Sequence, residues 1–321
     1  PAVTLVTSGP GATNVITGIM TAQMDSVPMI VLTGQSVSWM IGKDAFQEAD
    51  IFGMTMPVVK HSYLLKSTND IPRTIREAFH IATTGRPGPV LIDIPKDMSA
   101  GPFTGDLHAE MDIPGYKSHS GEINVTTVKE IAEAISKSQR PVILAGHGVL
   151  ISGGQDVLRA LAEKLNAPVT TTLLGKGAFP ETHKLSLGWL GMHGTAYANK
   201  AMCECDLLLN IGSRFDDRII GDPKFFCKEA VVIHVDIDPA EIGKMIRPQH
   251  HCVADAKLFI EELSKHVGKL NTGEWLKTLD GWKQKYPLKF KRQGTLKMQH
   301  VIDEFYKLSG GKAVVVTDVG Q

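Results

Sequence analysis

Four short segments carry residues whose types and spacing could do chemistry. In Gly212-Ser-Arg-Phe-Asp-Asp-Arg218, two arginines and two aspartates directly follow an apolar run at 206–211. Open parallel sheets bind ligands at such strand ends, and guanidinium groups fork onto phosphate or carboxylate. The same residues could also form a solvated cluster of internal ion pairs. His234-Val-Asp-Ile-Asp238 puts two carboxylates at the end of another run. Asp236 and Asp238 share a face while the strand lasts, and a carboxylate there suits ribose hydroxyls. The alternative is a pair of solvated turn residues.

Ser8-Gly-Pro-Gly-Ala-Thr-Asn14 joins an apolar run to a helical stretch. Its glycines permit a tight turn that turns N–H groups toward an anionic or polar ligand. It would equally serve as an ordinary strand–helix turn capped by Thr13 or Asn14. Gly146-His-Gly148-Val-Leu-Ile151 follows the run 141–145 and approaches a dinucleotide turn, but Ile151 stands where G-x-G-x-x-G needs its last glycine. His250-His-Cys252 and Cys203-x-Cys205 lack the paired spacing of a zinc site and read as structural. Ser152, Ser186 and Ser213 are not embedded in G-x-S-x-G, and no nucleophile–base constellation is visible. A cofactor would therefore carry any chemistry.

The elements that must position these residues follow a βαβ rhythm. Apolar runs at 2–7, 28–33, 89–94, 141–145, 168–172, 206–211, 231–237 and 313–317 are continuous rather than alternating. That pattern predicts strands buried on both faces, hence parallel sheets in a doubly wound α/β fold. Helical spacing occupies 12–24, 71–83, 127–137, 154–165 and 256–266. Segments 99–124 and 268–295 read as irregular linkers, the second followed by a helix at 298–308 and a strand opening a third unit.

Composition closes other doors. Among 321 residues, 34 Lys+Arg balance 34 Asp+Glu, so no bulk basic face for nucleic acid is present. No apolar run approaches the roughly 18 residues of a membrane span. Four cysteines make no disulfide scaffold and suit a reduced, cytoplasmic setting. Both ends fall in strand-like runs, so the chain is expected to be a fragment of a longer protein.

Several segments together resemble one family. Thr7-Ser-Gly-Pro-Gly-Ala-Thr-Asn14, Gly42-x-Asp44-Ala-Phe-Gln-Glu48, Gly85-Arg-Pro-Gly-Pro89, Asp93-Ile-Pro-Lys-Asp97, Leu190-Gly-Met-His-Gly-Thr195, Arg214-Phe-Asp-Asp-Arg218 and Thr317-Asp-Val-Gly-Gln321 occur in the order and spacing of acetolactate (acetohydroxyacid) synthase large subunits, a thiamine-diphosphate enzyme family. The resemblance implies a pyrimidine-binding domain at 1–115, N-terminally truncated, a central FAD-binding domain at 120–267, and the truncated beginning of a pyrophosphate-binding domain at 298–321. It implies decarboxylation of pyruvate and ligation to a second 2-keto acid, pyruvate or 2-ketobutyrate, in branched-chain amino-acid synthesis.

Site roles follow from the same resemblance. Pro10 and Asn14 would border the aminopyrimidine of thiamine diphosphate. Phe46 and Gln47 would line the reacting centre, Arg218 would grip the second substrate's carboxylate, and Met192 would wall its pocket. Lys96 would lie at the substrate channel near the flavin. FAD would contact Arg86, Gly146, Gly148, Thr172, Leu173 and Leu174. Further contacts would come from Leu190, Gly191, Met192 and His193, and from Gly212, Arg214, Asp216, Asp236, Ile237 and Asp255. The family's essential glutamate would precede Pro1, and its Mg²⁺-binding Gly-Asp-Gly…Asn motif would follow Gln321, so no metal ligand is expected within the chain and the chain alone would not catalyse. A homodimer or homotetramer with a small regulatory subunit is implied. In Gln35-Ser-Val-Ser-Trp-Met40, Val37 replaces the usual Pro and Ser38-Trp39 replace polar or basic residues, which leaves channel shape and inhibitor sensitivity open. Alternatives are an FAD-free fermentative acetolactate synthase, a glyoxylate carboligase, and a non-catalytic flavin-binding remnant.

Overall fold

Strands rich in Val, Ile and Leu form the centre of the computed structural model, which describes residues 1–117 and 123–317. Among the described residues, two wholly parallel sheets form. The first contains β1 (Ala2–Val6), β2 (Met29–Gln35), β3 (His61–Leu64) and β4 (Pro89–Pro95), in the order β1-β2-β4-β3. The second contains β5 (Pro141–Ala145), β6 (Val169–Thr171), β7 (Ser186–Trp189), β8 (Leu207–Ile211), β9 (Val231–Asp236) and β10 (His250–Val253), in the order β10-β9-β8-β5-β6-β7. This is the doubly wound α/β arrangement expected from the continuous apolar runs.

The second sheet is covered on both faces. Helices Val125–Ser136, Gln155–Leu165 and Ala256–His266 pack one side, where Ile131, Leu161, Phe259 and Ile260 are solvent-free. Helix Ala196–Glu204 and Met202, Phe215 and Trp275 close the other side. Each helix presents apolar residues at the 3.6-residue period, and burial of that stripe holds it on the sheet.

Several expectations need correction. The helix at 12–24 is two helices, Pro10–Asn14 and Ile16–Met24, with Val15 at the break. β1 is not buried on both faces: it is a sheet edge, with Val3 and Leu5 exposed. Strands β3, β7 and β10 escaped the apolar-run reading because they are four residues long and mix His, Ser, Tyr and Gly with apolar residues. The run 313–317 forms no strand, since an extended segment needs a paired neighbour to become one, and Val314 and Val316 are fully exposed. Residues 318–321 of its motif, and 118–122 within the first linker, lie outside the described residues.

The second supposed linker contains a helix, Gly273–Lys285, built into the central unit. Trp275 and Leu279 are buried in the core beneath it, and Trp275 Nε1 donates to the Pro141 carbonyl at 3.1 Å. Just before it, Thr272 Oγ1 donates to the Asn166 carbonyl and accepts from Asn166 Nδ2, at 2.8 and 2.9 Å. Lys, Gly and Trp obscured the helical period in the sequence. Truncating Trp275 to Ala removes a large buried ring and orphans the Pro141 carbonyl. It should destabilise the chain by about 3–5 kcal/mol in denaturant unfolding; a loss under about 1 kcal/mol would mean that the helix is only loosely attached.

Candidate functional site

The chain order of the second sheet reverses between β5 and β8, because β5-β6-β7 runs one way and β8-β9-β10 the other. Turns leaving the two strands diverge above such a switch point and open a crevice at the carboxyl edge. Here the turns touch backbone to backbone at their bases. Gly148 N donates to the Gly212 carbonyl at 3.1 Å and Gly146 N to the Ile211 carbonyl at 2.9 Å. A Cβ on Gly146 would fall 2.0 Å from the Gly212 oxygen, and Gly212 itself has φ +64°. Only glycine fits either place.

Above this contact lies a cleft of about 340 Å³. From the second sheet it receives the turns after β5, β6, β8, β9 and β10: Gly148 and Ile151, Thr172–Leu174, Gly212–Arg214 with Asp216 and Arg218, Asp236 and Ile237, and Asp255. From the first unit come Met24–Ser26 and Gly85–Pro87, which precede β2 and β4. The amino-terminal edge of the first sheet therefore faces the carboxyl edge of the second.

Buried polar residues hold the cleft turns. The Ser213 carbonyl accepts from Asn210 Nδ2 at 2.7 Å and pairs with His234 Nε2 at 3.1 Å. A carbonyl only accepts, so His234 carries its proton on Nε2. Burial pushes the His234 pKa down to about 4, so the ring is neutral at pH 7. His234 Nδ1 and Asn210 Oδ1 have no partner among the described residues. Phe215, at φ +57°, is 1% exposed and packs edge-on against His234 with ring centroids 4.9 Å apart. With Phe215 pinned inward, Arg214, Asp216 and Arg218 are directed outward. Their own pairing is loose: Arg214–Asp216 spans 4.0 Å and Arg218–Asp217 3.8 Å. Both guanidinium groups, held only at long range by these aspartates, can thus turn to an external anion.

Asp236 ends β9 at the cleft. Its Oδ1 accepts from Asp238 N at 2.9 Å. Burial pushes its pKa up to about 6, against the opposing hydrogen bond from Asp238 N and the charge of Arg86, while the carboxylates of Asp238 and Glu241 add to the rise. Asp238 has left the strand: it caps the turn Pro239–Glu241 and pairs with Arg86. Arg86 is engaged across the units, with Nη1 at 2.6 Å from Glu241 and 3.2 Å from Asp238, and Nε donating to Ser26 Oγ at 2.9 Å. His147 Nδ1 adds a second link, 3.2 Å from the Asp25 carbonyl.

The remaining sequence-predicted residues fall into two other places. Leu190, Gly191, Met192 and His193 form a loop beside the cleft, where Met192 N donates to the Arg218 carbonyl at 2.9 Å and a Cβ on Gly191 would meet that same carbonyl. Met192 is exposed. Pro10, Asn14, Phe46, Gln47 and Lys96 follow β1, β2 and β4, whose common parallel direction gathers them on the carboxyl edge of the first sheet. That edge is one strand length, about 20 Å, from the cleft. Within one chain, Phe46, Gln47 and Lys96 do not meet Arg218 and Met192, and Lys96 does not border the cleft. On this far edge Ser38 N and Oγ donate to Asp97 at 2.8 and 2.5 Å, holding its carboxyl below the usual range, while Trp39 is exposed. Among the described residues, no three His, Cys, Asp or Glu side chains gather as a metal site, and no helix is long and apolar enough to cross a membrane.

Sequence reasoning missed Asn210 and Ser26 as shapers of the cleft, and gave His234 and Ser213 no such part although both stand inside the motifs it singled out. Asn210 and His234 carried a signal, being polar residues inside otherwise apolar strands. The cleft's residues suit a dinucleotide. Asp236 can accept from a ribose diol, close glycine turns admit a diphosphate, free arginines oppose its charge, and Leu173, Leu174 and Ile237 offer apolar area.

Comparison with known proteins adds two domain matches and a set of relatives. Residues 1–54 match the thiamine pyrophosphate enzyme N-terminal TPP-binding domain, and residues 128–263 match the thiamine pyrophosphate enzyme central domain. An acetolactate synthase of Mycobacterium bovis is 46% identical over 327 residues, covering 99% of this chain and 53% of the relative. A probable acetolactate synthase large subunit of Methanocaldococcus jannaschii is 53% identical over 260 residues, covering 80% of this chain and 44% of the relative. An acetolactate synthase large subunit of Lactococcus lactis subsp. lactis is 44% identical over 322 residues, covering 99% and 56%. The chain thus spans about half the length of the curated relatives it matches.

The raised pKa of Asp236 has a definite sign in stability. Its folded value of about 6 exceeds the reference value of 3.8, so the folded chain holds a proton that the unfolded chain has released between those pH values. Stability from this group is full below about pH 4 and is lost as pH rises through about 6. Asp236→Asn should therefore gain on the parent chain by on the order of 2 kcal/mol between pH 4 and pH 7. Paired denaturation curves at the two pH values test this, and a pH-independent difference would contradict it.

Proposed function

The chain belongs to the thiamine pyrophosphate enzymes, and from that premise we propose that it serves as the large subunit of an acetolactate synthase. Pyruvate would be decarboxylated and its two-carbon remainder joined to pyruvate or 2-ketobutyrate. One observation carries the reading in this form. The cleft between the units has residues that suit a dinucleotide, whereas the turn and loop expected to serve the thiamine ring lie on the opposite sheet edge. A flavin in that cleft would be a structural and positioning group, with no net redox step asked of it. This favours the FAD-containing type over the FAD-free fermentative one.

Thiamine diphosphate, when bound, supplies the carbon nucleophile that cleaves 2-keto acids. The chain's own residues have separate tasks. Pro10 and Asn14 border the pyrimidine, Gln47 donates a hydrogen bond at the reacting centre, and Phe46 and Lys96 shape the approach. Arg218, whose side chain is 71% exposed and only distantly paired with Asp217, grips the carboxylate of the second keto acid, with Met192 beside it. FAD would use Asp236 for a ribose, the turns at Gly146–Gly148 and Gly212–Arg214 for the diphosphate, and Thr172–Leu174 as an apolar wall. Magnesium enters as counter-ion to the thiamine diphosphate. Because the two catalytic groups lie on opposite edges of one chain, the proposal includes a second copy that brings Phe46, Gln47 and Lys96 opposite Arg218 and Met192. A small regulatory subunit and a cytoplasmic setting belong to the same reading.

The holoenzyme should form acetolactate from pyruvate, add acetohydroxybutyrate when 2-ketobutyrate is supplied, and show a flavin absorption spectrum. Arg218→Gln should raise KM for the second keto acid about 10-fold or more, in keeping with loss of a charge-assisted contact. On the 321-residue chain itself, flavin fluorescence should titrate on binding, and Asp236→Ala should weaken that binding. Absence of acetolactate overturns the activity; an active enzyme without flavin overturns the role given to the cleft.

A further inference from the structure

A buried polar cluster in the first unit has no part in the cleft. Thr33 and Gln35 end β2, and Asp93 lies beside them on β4, with Thr33 and Asp93 directly paired in register. Their exposures are 0%, 8% and 1%. Thr33 Oγ1 donates to Asp93 Oδ1 at 2.8 Å. Gln35 Nε2 donates one hydrogen to Asp93 Oδ2 at 2.9 Å and the other to the Ala49 carbonyl at 2.8 Å. Its Oε1 accepts from Ser36 N at 2.8 Å. An ionised carboxylate only accepts, so Asp93 fixes which way the Gln35 amide faces. Turned over, that amide would set its oxygen against both the carboxylate and the Ala49 carbonyl.

What this cluster grips is the loop carrying Phe46 and Gln47. Ala49 closes that loop. Inside it, Asp44 and Gln47 adopt left-handed backbone at φ 56° and 55°, a conformation that non-glycine residues keep only when their surroundings hold it. Glu48 braces the loop from within, accepting from Gly42 N and, at 2.8 Å, from Ala45 N. Gly9 supports Gln47 from the opposite side: a Cβ there would fall 2.8 Å from both the Cβ and the carbonyl oxygen of Gln47. The loop is thus set between the turn at Gly9 and the Gln35–Asp93 anchor.

We propose that Gln35 and Asp93 are positioning residues that hold Gln47 in its left-handed pose through the Ala49 carbonyl, tying the buried β2–β4 pair to the reacting centre. The kinetic side of this rests on the reading of Gln47 given above; the anchoring side rests on geometry alone. Gln35→Met keeps the volume and removes the amide. Asp93→Ala removes the acceptor. Asp93→Asn retains an oxygen for Gln35 and can donate to Thr33 Oγ1.

Hydrogen exchange by mass spectrometry on the chain reads the anchoring. In Gln35→Met and Asp93→Ala, amides 44–49 should exchange about 10-fold faster or more, while the helix Ile71–Thr83 keeps its protection. In the holoenzyme, kcat should fall about 10- to 100-fold with KM for pyruvate little changed, as expected for a misplaced group. Asp93→Asn should restore most of both. Unchanged exchange at 44–49 overturns the proposal, as does equal damage from Asp93→Asn and Asp93→Ala. If Asp93→Ala unfolds, Gln35→Met decides alone. A Gln47→Ala enzyme with undiminished kcat overturns the reading of Gln47 instead, and the exchange result still judges the anchor.

Discussion

The closest constraint in the molecule is the contact between two glycine turns at the switch point of the second sheet. β5 and β8 run side by side, and the turns leaving them hydrogen-bond to each other before they part. No Cβ fits at Gly146, and Gly212 holds a left-handed φ. Because the turns are joined at the base and diverge above, the crevice has a backbone floor and side chains on its rim. Buried Phe215 and the Asn210–His234 pair then decide which residues of the Gly212–Arg218 segment face inward and which face the cleft.

A second organising feature is the way the two sheets meet. The amino-terminal edge of one faces the carboxyl edge of the other, joined by Arg86 with Glu241, Asp238 and Ser26. Glu241 is 4% exposed, so it sits where charge needs partners, which Arg86 and, at 3.1 Å, Lys244 supply. One cleft therefore draws on both units. The carboxyl edge of the first sheet lies on the other side, and the strand length between the two edges keeps its residues apart from the cleft. A fold with parallel strands generates such separation without added machinery, because every carboxyl end of a sheet lies on one side.

Polar residues inside apolar strands recur as the fixing points of loops at the strand ends. Asn210 and His234 serve the Ser213 turn; Thr33, Gln35 and Asp93 serve the loop of Gln47. In both cases neighbouring strands supply the group, and the held atom is a backbone carbonyl. Burial makes such bonds decisive, since an unpaired polar atom there is costly and the loop has few alternative ways to satisfy it.

The sequence by itself determined the α/β class, the parallel sheets and most of the strands, because continuous Val/Ile/Leu runs favour strands buried between two layers, although the exposed edge β1 and the unpaired run 313–317 depart from that rule. It also singled out three turns that line the cleft, since glycine, arginine and aspartate clusters at strand ends are local facts. Short strands such as β3, β7 and β10 were not legible, because four mixed residues have no period and become strands only through a paired neighbour. The helix Gly273–Lys285 was hidden for a related reason: the partner that buries Trp275 is β5, more than a hundred residues earlier. Only the tertiary structure decided that Asp236 faces the cleft while Asp238 turns to Arg86, that Phe46, Gln47 and Lys96 stand a strand's length from Arg218, and that Gln35 and Asp93 grip Ala49. Those outcomes depend on strand order and on which edges face each other, and neither is written in any local stretch of residues.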